Sequence, residues 1–127
     1  KEIFRILKSG GLIVIKTPNY ETIERKLFKK YWSVYEAPRH LFIFSEDTLI
    51  KLLENNGFKK IKIYYEKTPN NIILSIRNFL IDKKFNRRIV SFFNLNNYLL
   101  LFLFSPTSFI FGLFKMSGRI TMIAQKS

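Results

Sequence analysis

The sequence contains no cysteine and only one histidine, His40, among its 127 residues. The absence of cysteine excludes disulfide bonds, thiolate nucleophiles and zinc or iron–sulfur centres with cysteine ligands. One histidine is too few for the usual histidine-based metal centre, so we expect no metal site. A chain without cysteine suits a reducing compartment or is indifferent to redox state. We expect a cytoplasmic location, and attachment to the inner face of the membrane stays open.

Acidic side chains are also scarce, with 9 Asp plus Glu against 22 Lys plus Arg and a formal charge of +13. Such an excess attracts anionic partners, whether nucleic acid, anionic lipid or a phosphorylated substrate. The lysine pairs are scattered and no nucleic-acid-binding motif accompanies them, so we expect no specific nucleic-acid partner; a solvated basic surface is the simplest explanation. The 47% of hydrophobic residues can build the core of one small domain, or of part of a larger one.

The chain begins with a helix followed by a strand. The apolar residues of KEIFRILK keep to one helical face, and Gly10 and Gly11 end that helix. Residues 11–16 are apolar and β-branched, which predicts a strand buried on both faces in a parallel sheet. Because this pattern is half of a βαβ unit, it indicates a fragment whose first strand is missing. A second helix is predicted over 20–30.

A further helix and strand follow Ser45, a suitable N-cap. Gly57 ends this helix, and the alternation within 58–66 predicts a strand. The remaining elements are a helix over 70–85 and a last strand over 118–126. The sequence therefore predicts an α/β fold.

The segment from Ile89 to Phe114 has no charged residue. It is long enough to cross a bilayer, but its asparagines and a break expected at 105–108 leave two short apolar pieces. Three interpretations stay open. The segment forms helices that pack on the protein or cover a substrate, it forms an element on a membrane surface flanked by Arg87, Arg88 and Lys115, or it is a true span.

The stretch YWSVYEAPRHLFIFS, residues 31–45, contains the only tryptophan of the sequence, Trp32, its only histidine, His40, and Arg39 directly after a proline. His40 is a candidate general base, because histidine is the residue type whose ordinary pKa suits proton transfer near neutral pH. Arg39 is a candidate anchor for a substrate carboxylate or phosphate, and Tyr31, Trp32 and Tyr35 are candidate pocket walls. Structural roles explain these residues at least as well: His40 can cap the following helix, Arg39 can pair with Glu36 or Asp47, and Trp32 can belong to the core.

The order of EIFRILKSGGLIVIKTPN, PRHLFIFS, TLIKLLENNGF and GRITMIAQK resembles the C-terminal half of class I S-adenosylmethionine-dependent methyltransferases. The branch it resembles is that of the ubiquinone and menaquinone biosynthesis methyltransferases. The first segment is similar to that family's helix and fifth strand, usually close to R-x-L-K-P-G-G, with Ser9 here in place of the proline. The resemblance covers residues 1–67 well and 118–126 loosely, and the residues between them match only in character.

The resemblance implies a Rossmann-like α/β fold. Residues 1–67 would form core αβ units, 68–117 a helical apolar insert and 118–127 the last strand. It also implies S-adenosylmethionine as cofactor, but the family's glycine-rich loop and ribose-binding acid are absent here and would lie before Lys1. We therefore assign no cofactor-binding residue in this chain and expect it to be inactive alone.

The family's architecture further implies a site at the carboxyl edge of the sheet. Asn19 would lie there as a substrate-binding residue, and residues 31–45 would fold over it. The expected activity is methyl transfer to a small or lipid-linked acceptor, with His40 as base. A non-catalytic module that binds a membrane surface or an anionic ligand is the alternative. An unpaired sheet edge also leaves a homodimer open.

Overall fold

A computed structural model describes residues 1–35 and 42–127. The helices are α1 Glu2–Ile6, α2 Ile23–Phe28, α3 Glu46–Glu54, α4 Asn70–Asp82, α5 Arg87–Phe92 and α6 Tyr98–Leu113. The strands are β1 Leu12–Pro18, β2 Phe58–Tyr65 and β3 Arg119–Lys126, and a short 3₁₀ turn, Lys29–Tyr31, follows α2. This mixed α/β architecture, a small sheet with flanking helices, confirms the predicted fold class.

The sheet has the order β1-β3-β2, with β3 in the centre and antiparallel to both neighbours. In its register Ile15 lies opposite Met122, and Met122 lies opposite Ile63. The last strand in sequence therefore inserts between the other two, which run parallel to each other. This arrangement places the carboxyl end of β1 beside the amino end of β3.

The hydrophobic core lies between α3 and one face of the sheet. Ile120, Met122 and Ala124 alternate along β3 and are buried, as the sequence pattern predicts. They pack with Leu49 and Leu53 of α3 and with Phe58 of β2. The helix begins at the predicted cap, since the Ser45 hydroxyl accepts a hydrogen bond from the Thr48 N–H at 3.2 Å.

The prediction that β1 is buried on both faces of a parallel sheet is wrong for this structure. Ile13 and Ile15 pack against the core, but Leu12 and Val14 on the other face are 61% and 63% exposed. The neighbour of β1 is the antiparallel β3, and within the described residues β1 is an edge strand. An apolar run shows that a strand can be buried on two faces, but not which strand lies beside it.

The break expected at 105–108 is also wrong, because α6 runs through Pro106 as one helix. Pro106 lies on the exposed side, whereas Leu100, Ser108 and Gly112 form the buried side. A proline on the outer, convex side lets the helix curve around the body of the protein at the loss of one backbone hydrogen bond. The Ser105 hydroxyl donates to the Leu101 carbonyl oxygen at 2.5 Å.

A 16-residue helix is about 24 Å long, less than the hydrocarbon core of about 30 Å. In the part of the chain that the structure describes, no helix has the length and hydropathy to cross a membrane.

The boundaries of two other helices differ from the predicted ones by a few residues. The helix α2 ends at Phe28, before the predicted Lys30, and α4 ends at Asp82, before the predicted Phe85.

Candidate functional site

The candidate site begins where β1 ends, at Asn19. Its backbone N–H donates to the Gly118 carbonyl oxygen at 3.0 Å, which joins the loop after β1 to the start of β3. Its side-chain Nδ2 donates to the Ser117 carbonyl oxygen at 3.3 Å, and its Oδ1 accepts from the Glu21 N–H at 3.1 Å. Asn19 is buried. Asn19 therefore joins the loop after β1 to the residues just before β3 by buried hydrogen bonds.

Thr22 connects the start of α2 to the same segment before β3. Its hydroxyl accepts a hydrogen bond from the Glu24 N–H at 3.2 Å, as an N-cap does, and donates to the Met116 carbonyl oxygen at 2.7 Å. The side chain is completely buried. The start of α2 is thus fixed to the segment that precedes β3.

Glu24 is the centre of a buried polar group that we name the Glu24 cluster: Glu24, Trp32, Asn71 and Gly118. Its carboxylate accepts from the Trp32 Nε1–H at 3.4 Å and from the Gly118 N–H at 3.3 Å, and Asn71 supplies a third hydrogen bond. Glu24 is only 2% exposed. Burial raises the pKa of Glu24, while the three donors and the charge of Arg119 oppose that rise.

Gly118 is required by this geometry. A Cβ on Gly118 would lie against the Glu24 carboxylate and 2.6 Å from Asn71 Nδ2. The absence of a side chain lets the backbone just before β3 approach close enough for the Gly118 N–H to donate to Glu24.

Trp32 and Tyr35 form the aromatic part of the site. The Trp32 ring is 1% exposed and meets the ring of Tyr35 edge-on at 5.1 Å, while Tyr35 is 46% exposed. The backbone between them is held to α4, since the Ser33 N–H donates to the Ser75 hydroxyl at 2.9 Å. Trp32 thus supports the site from inside, and Tyr35 presents an aromatic edge to solvent.

Tyr31 faces a different part of the surface. Its hydroxyl donates to Asp82 Oδ2 at 2.7 Å, and its ring meets Phe79 edge-on at 5.2 Å. It borders an open, mainly apolar groove of about 600 Å³ lined by Leu27, Phe28, Lys29, Lys30, Tyr31, Ile76 and Phe79. The Lys30 ammonium group already pairs with Asp82 at 3.4 Å, so the groove combines hydrocarbon side chains with the ammonium group of Lys29 and suits a mainly apolar ligand.

Of the predicted site residues, the structure joins Asn19, Trp32 and Tyr35 through Gly118 and Glu24, and it places Tyr31 at the separate groove. Arg39 and His40 lie outside the described residues. Glu24 and Asn71 were not predicted from the sequence. The available signal was Thr22, whose hydroxyl two residues before Glu24 marks a helix start.

The glycines of this chain do not form a cofactor-binding loop. Glycine-rich loops that hold nucleotide cofactors follow a strand, whereas Gly10 and Gly11 precede β1 and no glycine pair follows any strand of this sequence. The described residues contain no group of acids or histidine that could hold a metal ion. The residues present therefore do not provide the cofactor loop that the resemblance implies.

Comparison with known proteins gives one family match. The model of a methyltransferase domain matches residues 1–63, just under half of the chain. These residues comprise α1, β1, the loop after β1, α2, α3 and most of β2. No curated protein matches the chain.

Among solved structures, the chain is similar to phosphoethanolamine N-methyltransferase 2 of Haemonchus contortus in complex with S-adenosyl-L-methionine. The identity is 21% and the TM-score 0.45, over 98% of this chain and 28% of that one. It is also similar to a SAM dependent methyltransferase from Archaeoglobus fulgidus, at 19% identity and a TM-score of 0.44, over 94% of this chain and 46% of that one. The chain spans less than half the length of either protein.

Proposed function

We propose that this chain forms the acceptor side of an S-adenosylmethionine-dependent methyltransferase. The observation that carries the proposal is the match of residues 1–63 to the methyltransferase-domain model. Those residues include the loop after β1, where ligands of open α/β sheets bind. The assignment to the ubiquinone and menaquinone branch belongs to the proposal.

The outer edge of β1 supports this role. Leu12 and Val14 are exposed apolar residues, and no other described strand lies beside β1 on that edge. A cofactor-binding half would add strands beside β1, its helices would pack on the sheet face that carries Leu12 and Val14, and it would supply the glycine-rich loop. The methyl donor would be bound by that half.

Within this chain, the Glu24 cluster sets the position of the acceptor side. It ties α2, the turn after it and the start of β3 to one point, and residues 31–45 connect from there to α3. In this proposal His40 is the base that takes a proton from the acceptor, Arg39 anchors an anionic group, and Tyr35 packs against the acceptor. The groove beside Tyr31 would accept the apolar part of a lipid-linked acceptor.

The test is a calorimetric titration of S-adenosylmethionine into two proteins. One is this chain, and the other is the chain extended upstream by about one Rossmann half of its natural sequence. We expect the extended protein to bind and the chain alone not to bind. Absence of binding to both proteins would overturn the proposal.

A non-catalytic module that binds anionic surfaces is the second candidate. It is favoured by the exposed apolar face of α6, since residues such as Phe102 and Leu103 lie on the surface next to a basic body. Failure of both proteins to bind S-adenosylmethionine, together with binding to anionic vesicles, would select it.

A further inference from the structure

One face of α6 is an exposed apolar surface outside the site. Its large apolar side chains are exposed at helical spacing, and they are Tyr98, Leu99, Phe102, Leu103, Phe109, Ile110, Leu113 and, at the C-cap, Phe114. We name this set the α6 face. Contiguous exposed apolar surface of this kind marks a site of interaction with a protein or a membrane.

The opposite side of α6 holds the helix on the protein, so that the α6 face stays outward. Leu100, Ser108 and Gly112 are buried. A Cβ on Gly112 would lie 3.4 Å from the Glu66 carbonyl oxygen, which shows how closely the helix approaches the end of β2. The fold therefore presents the α6 face on a firmly packed helix.

Cations surround the α6 face. Arg88 lines an open recess of about 800 Å³ together with Tyr98 and Leu99, at the start of the helix. Lys67 Nζ lies 4.5 Å from the centre of the Phe109 ring, and the exposed Lys115 follows the end of the helix. From Lys83 to the C-terminus the sequence has seven Lys and Arg residues and no Asp or Glu.

This combination of charge and apolar surface distinguishes between occupants. A second copy of the chain docked through the same face would bring two basic surfaces together and would be repelled. An anionic lipid surface has the opposite charge, and its acyl region accepts the Phe and Leu side chains. The helix is too short to cross the bilayer, so it would lie in the interface.

We propose that the α6 face docks on an anionic lipid surface, with the apolar side chains entering the acyl boundary and Arg88, Lys67 and Lys115 contacting headgroup phosphates. This role does not depend on the methyltransferase proposal.

The experiment is sedimentation of the chain with vesicles of phosphatidylcholine alone and of phosphatidylcholine mixed with phosphatidylserine. We expect binding to the mixed vesicles, weakened by salt as headgroup contacts are screened. Phe102→Ser combined with Leu103→Ser should weaken binding about tenfold or more, because two apolar side chains leave the acyl region. Arg88→Gln with Lys115→Gln should reduce the salt dependence.

The matched control is Phe42→Ser, because Phe42 is 74% exposed, against 77% for Phe102, but does not lie on α6. Lys51→Gln on α3 is the corresponding charge control. Both should bind as the unaltered chain does, and circular dichroism should show all variants folded.

Three results would overturn the proposal. They are equal binding to neutral vesicles, unchanged binding of the Phe102 and Leu103 variant, and a dimer that this variant abolishes. Binding by the chain that is lost in the upstream-extended protein would also overturn it, since the α6 face would then be covered.

Discussion

The indole N–H of Trp32 and the backbone N–H of Gly118 donate to different oxygens of the same buried carboxylate, that of Glu24, at 3.4 Å and 3.3 Å. The two donors are 86 residues apart in sequence, from position 118 minus position 32. One carboxylate therefore links the turn after α2 to the residue that directly precedes β3, the central strand of the sheet. Such a link is expensive to bury and depends on every donor being present.

The first prediction concerns the pH dependence of stability. Burial raises the pKa of Glu24 above its ordinary value of 4.5, so the folded state keeps a proton that the unfolded state loses. The stabilisation from this group is complete below pH 4.5 and is lost as pH rises through the raised pKa. Glu24→Gln should abolish the loss of stability that comes from Glu24 as pH rises. The measurement is the difference in Tm between the variant and the unaltered protein from about pH 4 to about pH 8.

The control for this prediction is Glu54→Gln, a change at an exposed acid on α3. It should leave the Tm profile unchanged over the same range. If Tm varied with pH in the same way in Glu24→Gln and in the unaltered protein, ionisation of Glu24 would not lower the stability of the folded state.

The second prediction concerns Gly118→Ala. The added methyl group would press on the Glu24 carboxylate and on Asn71 Nδ2, both held in the buried cluster. We expect a loss of about 1 to 3 kcal/mol in the free energy of unfolding, as for overpacked cores, measured by urea denaturation. In a Glu24→Ala background the loss should be smaller, because the main obstacle is gone. Equal losses in both backgrounds would refute a clash with Glu24.

The third prediction separates the hydrogen bond of Trp32 from its ring. Trp32→Phe keeps an aromatic ring but removes the donor to Glu24, which leaves a buried acceptor one partner short. We expect a loss of about 1.5 to 3 kcal/mol in unfolding free energy by circular dichroism, the usual value for a bond to a charged group. Tyr35→Phe, which keeps the edge-on contact with Trp32, should change stability little. An equal loss from Trp32→Phe in a Glu24→Ala background, where the hydrogen bond is already gone, would assign the effect to ring packing alone.

Local signals in the sequence were sufficient to predict several of the elements, but not α5 or the continuous α6. Ser45, Gly57 and the alternation of Ile120, Met122 and Ala124 each determine a local conformation or a buried face, and the structure has a helix start, a helix end and a strand there. The order β1-β3-β2 was not predictable from these signals, because an apolar run does not specify its neighbours. The helix through Pro106 was missed for a related reason: only the packed fold shows that Pro106 faces outward.

The site was predictable only in part. Asn19 and Trp32 stood out in sequence because of their position and rarity, and the structure places both beside the same buried junction. Glu24 did not stand out, because a glutamate among lysines and arginines is typical of a solvated helix surface. Its burial results from Gly118, which lies 94 residues further along the chain.

The last prediction tests the proposed chemistry at His40 in the upstream-extended protein. His40→Ala should lower kcat for methyl transfer about 100-fold or more, since general base catalysis contributes that much when the acceptor proton must be removed. Arg39→Lys should instead raise KM for an acceptor with an anionic group, because lysine cannot make the paired hydrogen bonds of a guanidinium. The two effects are separated by measuring kcat and KM with each variant. Titration of S-adenosylmethionine should give unchanged affinity for both, which shows that the cofactor half is intact. Unchanged kcat in His40→Ala would assign His40 to a structural role, and the acceptor would then need no base from this chain.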